Sequence, residues 1–158
     1  MLRLTGAAII LITCFLYGNM LTRKAEAKVL LTEALCSFVM YINTSIKTAR
    51  VPLNSIFYSF KNDALEDAGF CERLCCEGLL SAINHIESAI PREAFDAMIY
   101  LEKNIGGIDI ESQTGICAYV EESLKEELKK AKNTFNNKKR MYRMLPVLAG
   151  LSVIILIV

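Results

Sequence analysis

Both ends of this chain are apolar runs without an internal charge, and each is bordered on its inner side by lysine and arginine. Leu4 to Leu21 contains no ionisable group except the neutral Cys14 and Tyr17. Eighteen such residues are long enough to span a bilayer with help from their flanks. Met144 to Val158 carries no charge before the terminal carboxylate. Its fifteen residues reach about 22 Å as a helix, against a hydrocarbon core of about 30 Å. Tyr142 at the headgroup level, an outward-reaching Arg143 and local thinning of the bilayer would cover the difference. Pro146 is tolerated near the start of such a span.

The bases fix an orientation. Arg23, Lys24 and Lys28 follow the first run, and Lys138, Lys139, Arg140 and Arg143 precede the second. Lys and Arg near membrane ends favour the cytoplasmic side. Both borders therefore place the middle in the cytosol and both termini outside. The expected division is 1–22 as a first transmembrane segment, 23–143 as a cytosolic helical bundle and 144–158 as a second transmembrane segment. A signal peptide cleaved after Ala25-Glu26-Ala27 is the competing reading. Arg23 and Lys24 stand between the apolar run and that site, where they hinder export. A lipoprotein reading at Cys14 is weaker, because Thr13 fits poorly before it.

The net charge of +1 conceals a strong asymmetry. Asn54 to Glu127 holds fifteen acids against five bases, whereas the other positions hold two acids against thirteen bases. A basic layer beside the membrane and an acidic layer away from it follow. The six acids singled out as a docking surface for a basic partner are Glu66, Asp67, Glu72, Glu77, Glu93 and Asp96. The competing reading is a solvated helical face. The basic run Lys129, Lys130, Lys132, Lys138, Lys139 and Arg140 is more economically read as a contact with anionic lipid than with nucleic acid.

Between the ends the apolar period is three to four, which reads as all-α. Leu31, Leu35, Phe38, Ile42 and Ile46 form one stripe that continues from the first apolar run without a breaker. Pro52 suits the first turn of a second helix, with Leu53, Ile56, Phe57 and Phe60 as its apolar face. A third is expected from about Ala64 or Cys71 to Ile86, with Leu74, Leu79, Ile83 and Ile86 inward and Gly69 as a division point. Pro91 opens a fourth that buries Phe95, Met98, Ile99 and Leu101, and Gly106-Gly107 stops it with a left-handed cap. Asp109 then caps a last helix striped by Ile116, Val120, Leu124, Leu128, Ala131 and Phe135. The predicted architecture is a membrane-anchored helical bundle. Two long stalk helices continue into the terminal spans, and short helices form the cap.

The chemistry-bearing residues are sparse. Cys71, Cys75 and Cys76 share a short stretch, but His85 is the one histidine and no second cysteine pair completes a zinc pattern. Reduced, mostly buried thiols are the expectation, with no metal and no cofactor. A metal or redox sensor built on Cys71, Cys75, Cys76 and His85 is the enzyme-like alternative. Gly106-Gly107 lacks the strand and the lysine of a phosphate-binding loop. No carboxylate spacing marks a catalytic pair.

Against this background the chain resembles the stage III sporulation protein AB family over nearly its whole length. The most specific residues are Leu101 with Ile105-Gly106, then Asp109 and Gln113. Lys139-Arg140-Met141-Tyr142-Arg143 and Leu148-Ala149-Gly150-Leu151 follow. The Pro52-Leu53 helix start also fits. Pro146 stands where that family usually carries glycine, and the cysteines are outside its pattern. The family is similar to the helical domain of inner-membrane platform proteins in type II secretion and type IV pilus systems. The resemblance implies a non-enzymatic part in a secretion-like channel, at the mother-cell membrane around the forespore. Its implied partners are stage III sporulation protein AA, a presumed ATPase, and other channel components, and a homo-oligomer is compatible with it. A membrane-tethered adaptor without a secretion role is the alternative.

Overall fold

Glycine and proline punctuate the middle of the chain and decide where its helices stop. The computed structural model describes the backbone of residues 2–49, 52–106 and 109–157. Side chains are described for these except 2–11, 14, 49, 140, 142, 143, 145–147, 150, 151 and 153–157. The described residues are all-helical: α1 Leu2–Ala49, α2 Leu53–Ser59, α3 Asp63–Asp67, α4 Phe70–Cys76, α5 Leu79–His85, a 3-10 turn Glu87–Ala89, α6 Arg92–Asn104 and α7 Ile110–Ile157. The chain divides into two compact units, one of residues 28–131 and one of residues 1–27 with 132–158.

The 28–131 unit holds the core. Leu31, Leu35, Phe38, Ile42 and Ile46 of α1 are all buried, as their spacing predicts. From α7 the buried residues are Cys117, Val120 and Leu124, with Ile116 and Leu128 partly buried beside them. The stripe is therefore centred one residue later than Ile116. Cys117 lies in the field of Lys47, and Lys125 in that of Cys36, so α1 and α7 run antiparallel here. Fully burying a Leu, Ile or Phe stabilises by roughly 1.5–3 kcal/mol.

Phe38 is the hub. Its ring lies 6.0 Å from Phe57, 5.0 Å from Phe60 and 5.4 Å from Phe70. Tyr41 adds a contact to Phe60 at 5.4 Å. One aromatic side chain on α1 thereby holds α2, the turn after it and α4. Tyr58 donates a hydrogen bond to the Cys75 carbonyl at 3.2 Å, tying α2 to the end of α4.

The expected third helix is three helices. Its start lies at Asp63, because Asn62 Oδ1 accepts from the Ala64 and Leu65 amides at 3.1 and 3.3 Å. That side-chain cap satisfies donors that α3 cannot pair internally. Gly69 divides the segment at φ 72°, as the sequence indicates, and Gly78 divides it again at φ 93°, ψ 176°. The second break is a correction, since Leu74, Leu79 and Ile83 keep a helix-like apolar spacing across it. All three, with Ile86, are buried.

Pro52 and Pro91 immediately precede α2 and α6, at φ −56° and −61°. Both occupy the N-cap rather than the first turn. In α6, Met98 and Leu101 are buried as predicted, together with Ala94, while Phe95 and Ile99 are partly exposed. The helix ends at Asn104. Ile105 is extended, its amide bonds the Leu101 carbonyl at 2.8 Å, and Gly106 takes φ 99°. Gly107 lies outside the described residues. Asp109 caps α7: Oδ1 accepts from the Glu111 amide at 3.3 Å and Oδ2 from the Ser112 amide at 3.0 Å. The Ser112 hydroxyl donates to Oδ2 at 2.8 Å, and the Gln113 amide to the Asp109 carbonyl at 3.1 Å.

In the other unit the described α1 side chains Ile12, Phe15, Leu16, Tyr17 and Met20 are more than half exposed. On the α7 side, Met144 and Leu148 are also exposed. Among the described residues one segment, Phe15–Thr48, is long and apolar enough to cross a membrane, with a mean hydropathy of 1.5. The segment runs on into the core stripe Leu31–Ile46, which is as apolar as a span; many side chains of the expected spans Leu4–Leu21 and Met144–Val158 lie outside the described residues.

Candidate partner-binding groove

Two helical faces in the 28–131 unit meet at the candidate site. On α6, Glu93, Asp96, Ala97 and Tyr100 recur at spacings of three and four and so share one face. On α7, Tyr119, Ser123, Glu126 and Glu127 do the same. Together these eight residues line a groove of about 430 Å³. Its wall carries the Tyr100–Tyr119 pair, edge to face with centroids 5.4 Å apart. Both rings are well exposed. Its acids are Glu93, Asp96, Glu126 and Glu127.

One cation of the chain already sits at this acidic edge. Lys130 Nζ bonds Glu127 Oε1 at 2.5 Å. That hydrogen bond and the charge of Glu127, with further help from Glu126 and Glu93, push the Lys130 ammonium above its usual pKa. Glu93, Asp96 and Glu126 form no salt bridge with a described residue. Asp96 also borders a second hollow with Glu87, Ile90, Arg92 and Phe95.

Of the six acids singled out in the sequence, the structure brings Glu93 and Asp96 together in this groove. Glu66 and Asp67 are exposed on α3, and Glu72 on α4. Glu77 follows α4 and is matched locally. The Ser81 hydroxyl donates to it, and Arg73 Nη1 lies 3.2 Å from its Oε2. These contacts, the Ser81 bond first, hold its carboxyl below the usual range. Tyr100, Tyr119, Ser123, Glu126 and Glu127 were not singled out by the sequence. Their signal lies in the paired three-to-four ladders, which become a site only when α6 lies on α7.

The membrane-border residues Arg23, Lys24 and Lys28 are exposed on α1, and Lys138 and Lys139 on α7. Arg23 and Lys24 share a hollow of about 420 Å³ with Leu16, Asn19, Met20 and Ala27. Lys139 Nζ stands 5.2 Å above the Phe135 ring. The side chains of Arg140, Tyr142 and Arg143 lie outside the described residues.

The described cysteines are spread over three helices, Cys36 on α1, Cys71, Cys75 and Cys76 on α4 and Cys117 on α7. Cys36 and Cys117 are buried, Cys71 and Cys75 half-buried and Cys76 exposed. Burial, then the nearby Glu66, raises the Cys71 pKa. Burial raises that of Cys117 to about 11. Among the described residues no three His, Cys, Asp or Glu side chains gather closely enough to hold a metal ion. His85 packs against Gly69, where an added Cβ would stand 3.2 Å from its Nε2.

The family described as stage III sporulation protein AB matches residues 3–158. No curated protein and no solved structure matches the chain.

Proposed function

Because the chain belongs to the stage III sporulation protein AB family, which gives it a role in stage III of sporulation, we propose that it is a non-enzymatic membrane platform. It couples a cytosolic ATPase to the channel between mother cell and forespore. The observation that carries this reading is the groove between α6 and α7. Three of its carboxylates have no salt bridge with a described residue, beside two exposed tyrosines. Charged groups left open in this way steer and select a partner of opposite charge.

The exposed apolar side chains of the other unit support the membrane part of the reading. A soluble surface seldom leaves such a run uncovered, and the arrangement Leu16, Met20, Arg23, Lys24 suits a bilayer edge. In this reading the middle of the chain faces the cytosol. Stage III sporulation protein AA is the partner ATPase, and the acids of α3, α4 and α6 form the docking face.

Charge reversal tests it. Glu66→Lys, Glu93→Lys and Asp96→Lys together are expected to reduce co-purification with stage III sporulation protein AA from sporulating cells. The loss in the wild type should grow with salt, since screening acts on exposed charges. Unchanged recovery of the ATPase by the triple variant would sink the docking face.

A further inference from the structure

The groove between α6 and α7 is lined by Ala97, Tyr100, Tyr119 and Ser123 together with the carboxylates of Glu93, Asp96, Glu126 and Glu127. This combination is selective in its chemistry. A bare metal ion needs several oxygens at short range, and no three acidic side chains gather so here among the described residues. An apolar helix would find Glu93, Asp96 and Glu126 costly to bury without partners. A cation with a broad, flat, weakly hydrated face suits both parts at once. Guanidinium stacks on aromatic faces and donates in a fork that matches carboxylates.

The chain's own lysine shows the preference for positive charge. The Lys130 ammonium is ion-paired to the Glu127 carboxylate. It lies in the field of Glu126 and Glu93, which with Asp96 keep their carboxylates without a salt bridge to a described residue. The Tyr100–Tyr119 edge-to-face contact leaves ring surface open, as their exposure requires.

We infer that this groove seats an arginine of the docked partner protein, its guanidinium stacked on Tyr100 or Tyr119 and hydrogen-bonded by Glu93, Asp96 or Glu126. The inference rests on the docking reading above and narrows it from a diffuse acidic face to one socket. Glu66, Asp67 and Glu72 then contribute long-range attraction without direct contact.

The test uses the full chain in nanodiscs of neutral phosphatidylcholine, titrated calorimetrically with an alternating Arg–Ala peptide and its Lys–Ala counterpart. The arginine peptide is expected to bind at least about fivefold tighter. Tyr100→Leu with Tyr119→Leu should remove most of that preference and leave lysine-peptide binding within about twofold. Glu93→Gln, Asp96→Asn and Glu126→Gln together should weaken arginine-peptide binding about tenfold or more. Glu66→Gln, Asp67→Asn and Glu72→Gln should change it by less than about threefold. All substituted positions are at the surface, and unchanged circular dichroism checks the fold.

Equal binding of the two peptides, or equal loss from both acid triplets, overturns the socket. Sedimentation of the chain alone gives the remaining outcome. A dimer abolished by the groove variants would assign the seat to a second copy and overturn the partner assignment. The co-purification experiment separates the two levels. If the ATPase fails to bind wild-type chain while the peptide results hold, the coupling reading fails and the socket stands. If the ATPase binds the neutral groove variants as well as wild type but loses the Glu66→Lys, Glu93→Lys, Asp96→Lys variant, the socket fails and the docking face stands.

Discussion

Phe38 of α1 meets Phe70 of α4 edge to face, with ring centroids 5.4 Å apart and planes at 79°. The same ring touches Phe57 and Phe60, so three chain segments depend on one side chain. Phe38→Ala is expected to destabilise the 28–131 unit by about 3–5 kcal/mol, through lost burial and the cavity left behind. Phe38→Leu, which refills much of the volume, should cost well under half of that. Denaturant unfolding of the full chain in detergent, followed by helical circular dichroism, measures both. A cost for Phe38→Ala below about 1 kcal/mol would contradict the hub.

Gly78 has φ 93° and ψ 176°, and an added Cβ there meets nothing within 4 Å. The requirement for glycine is thus a backbone matter, in a region that other residues essentially avoid. Gly78→Ala and Gly78→Asn are both expected to cost about 1–3 kcal/mol. Gly69, at φ 72° and ψ 11°, lies in the left-handed region that asparagine tolerates. An added Cβ at Gly69 stands 3.2 Å from Nε2 at the far end of the exposed His85 side chain, which can shift away, so Gly69→Asn should still cost less than Gly78→Asn in the same unfolding assay.

Asn43 is buried in α1, and its Oδ1 finds no hydrogen-bond partner among the described residues. A buried acceptor left unmade costs about 1–3 kcal/mol. Asn43→Leu, of similar size, is expected to raise stability by about 1 kcal/mol or more. Thermal unfolding shows this as a higher midpoint, and a lower midpoint would mean that the amide has a stabilising role.

Asp109 is held below the ordinary carboxylate pKa, first by the Ser112 hydroxyl and then by the Ser112 and Glu111 amides. A depressed pKa in the folded state stabilises above the unfolded value, near pH 4, and the contribution is lost as pH falls through the folded value. Protection of the first-turn amides of α7 from hydrogen exchange should fall across that acidic window. Asp109→Ala should show low protection at neutral pH and little further change on acidification.

The thiols should separate by reactivity, because thiolate is the nucleophile. Exposed Cys76 is expected to alkylate first, half-buried Cys71 more slowly, and Cys117 last, its pKa raised to about 11. Mass spectrometry of iodoacetamide-treated native protein gives the order. Rapid labelling of Cys117 would show that α7 opens locally.

Much of the fold is legible in the sequence because a helix writes its buried face into spacing. Leu31 to Ile46 and Val120 to Leu124 could be assigned from period alone. The Gly78 break could not, since Leu74, Leu79 and Ile83 keep the period across it. Asn62 escaped notice because the acid after it and the apolar residues beyond allowed several starts. The groove was half legible. Glu93 and Asp96 stood out as charge, but Tyr100, Tyr119, Glu126 and Glu127 gain meaning only from the pairing of α6 with α7. That pairing is a long-range relation that neither ladder carries by itself.

The short helices also set how the unit can come apart. α3, α4 and α5 have five, seven and seven residues, far below the roughly 12–15 at which an isolated helix becomes even marginal in water. Each exists because Leu65, Phe70, Leu74, Leu79 and Ile83 find the core. Opening one of them alone would uncover the others' contacts, so hydrogen exchange in this region should proceed through joint opening events. A partner that grips any exposed residue of α3 to α5 therefore gains a handle on the melting of the whole unit.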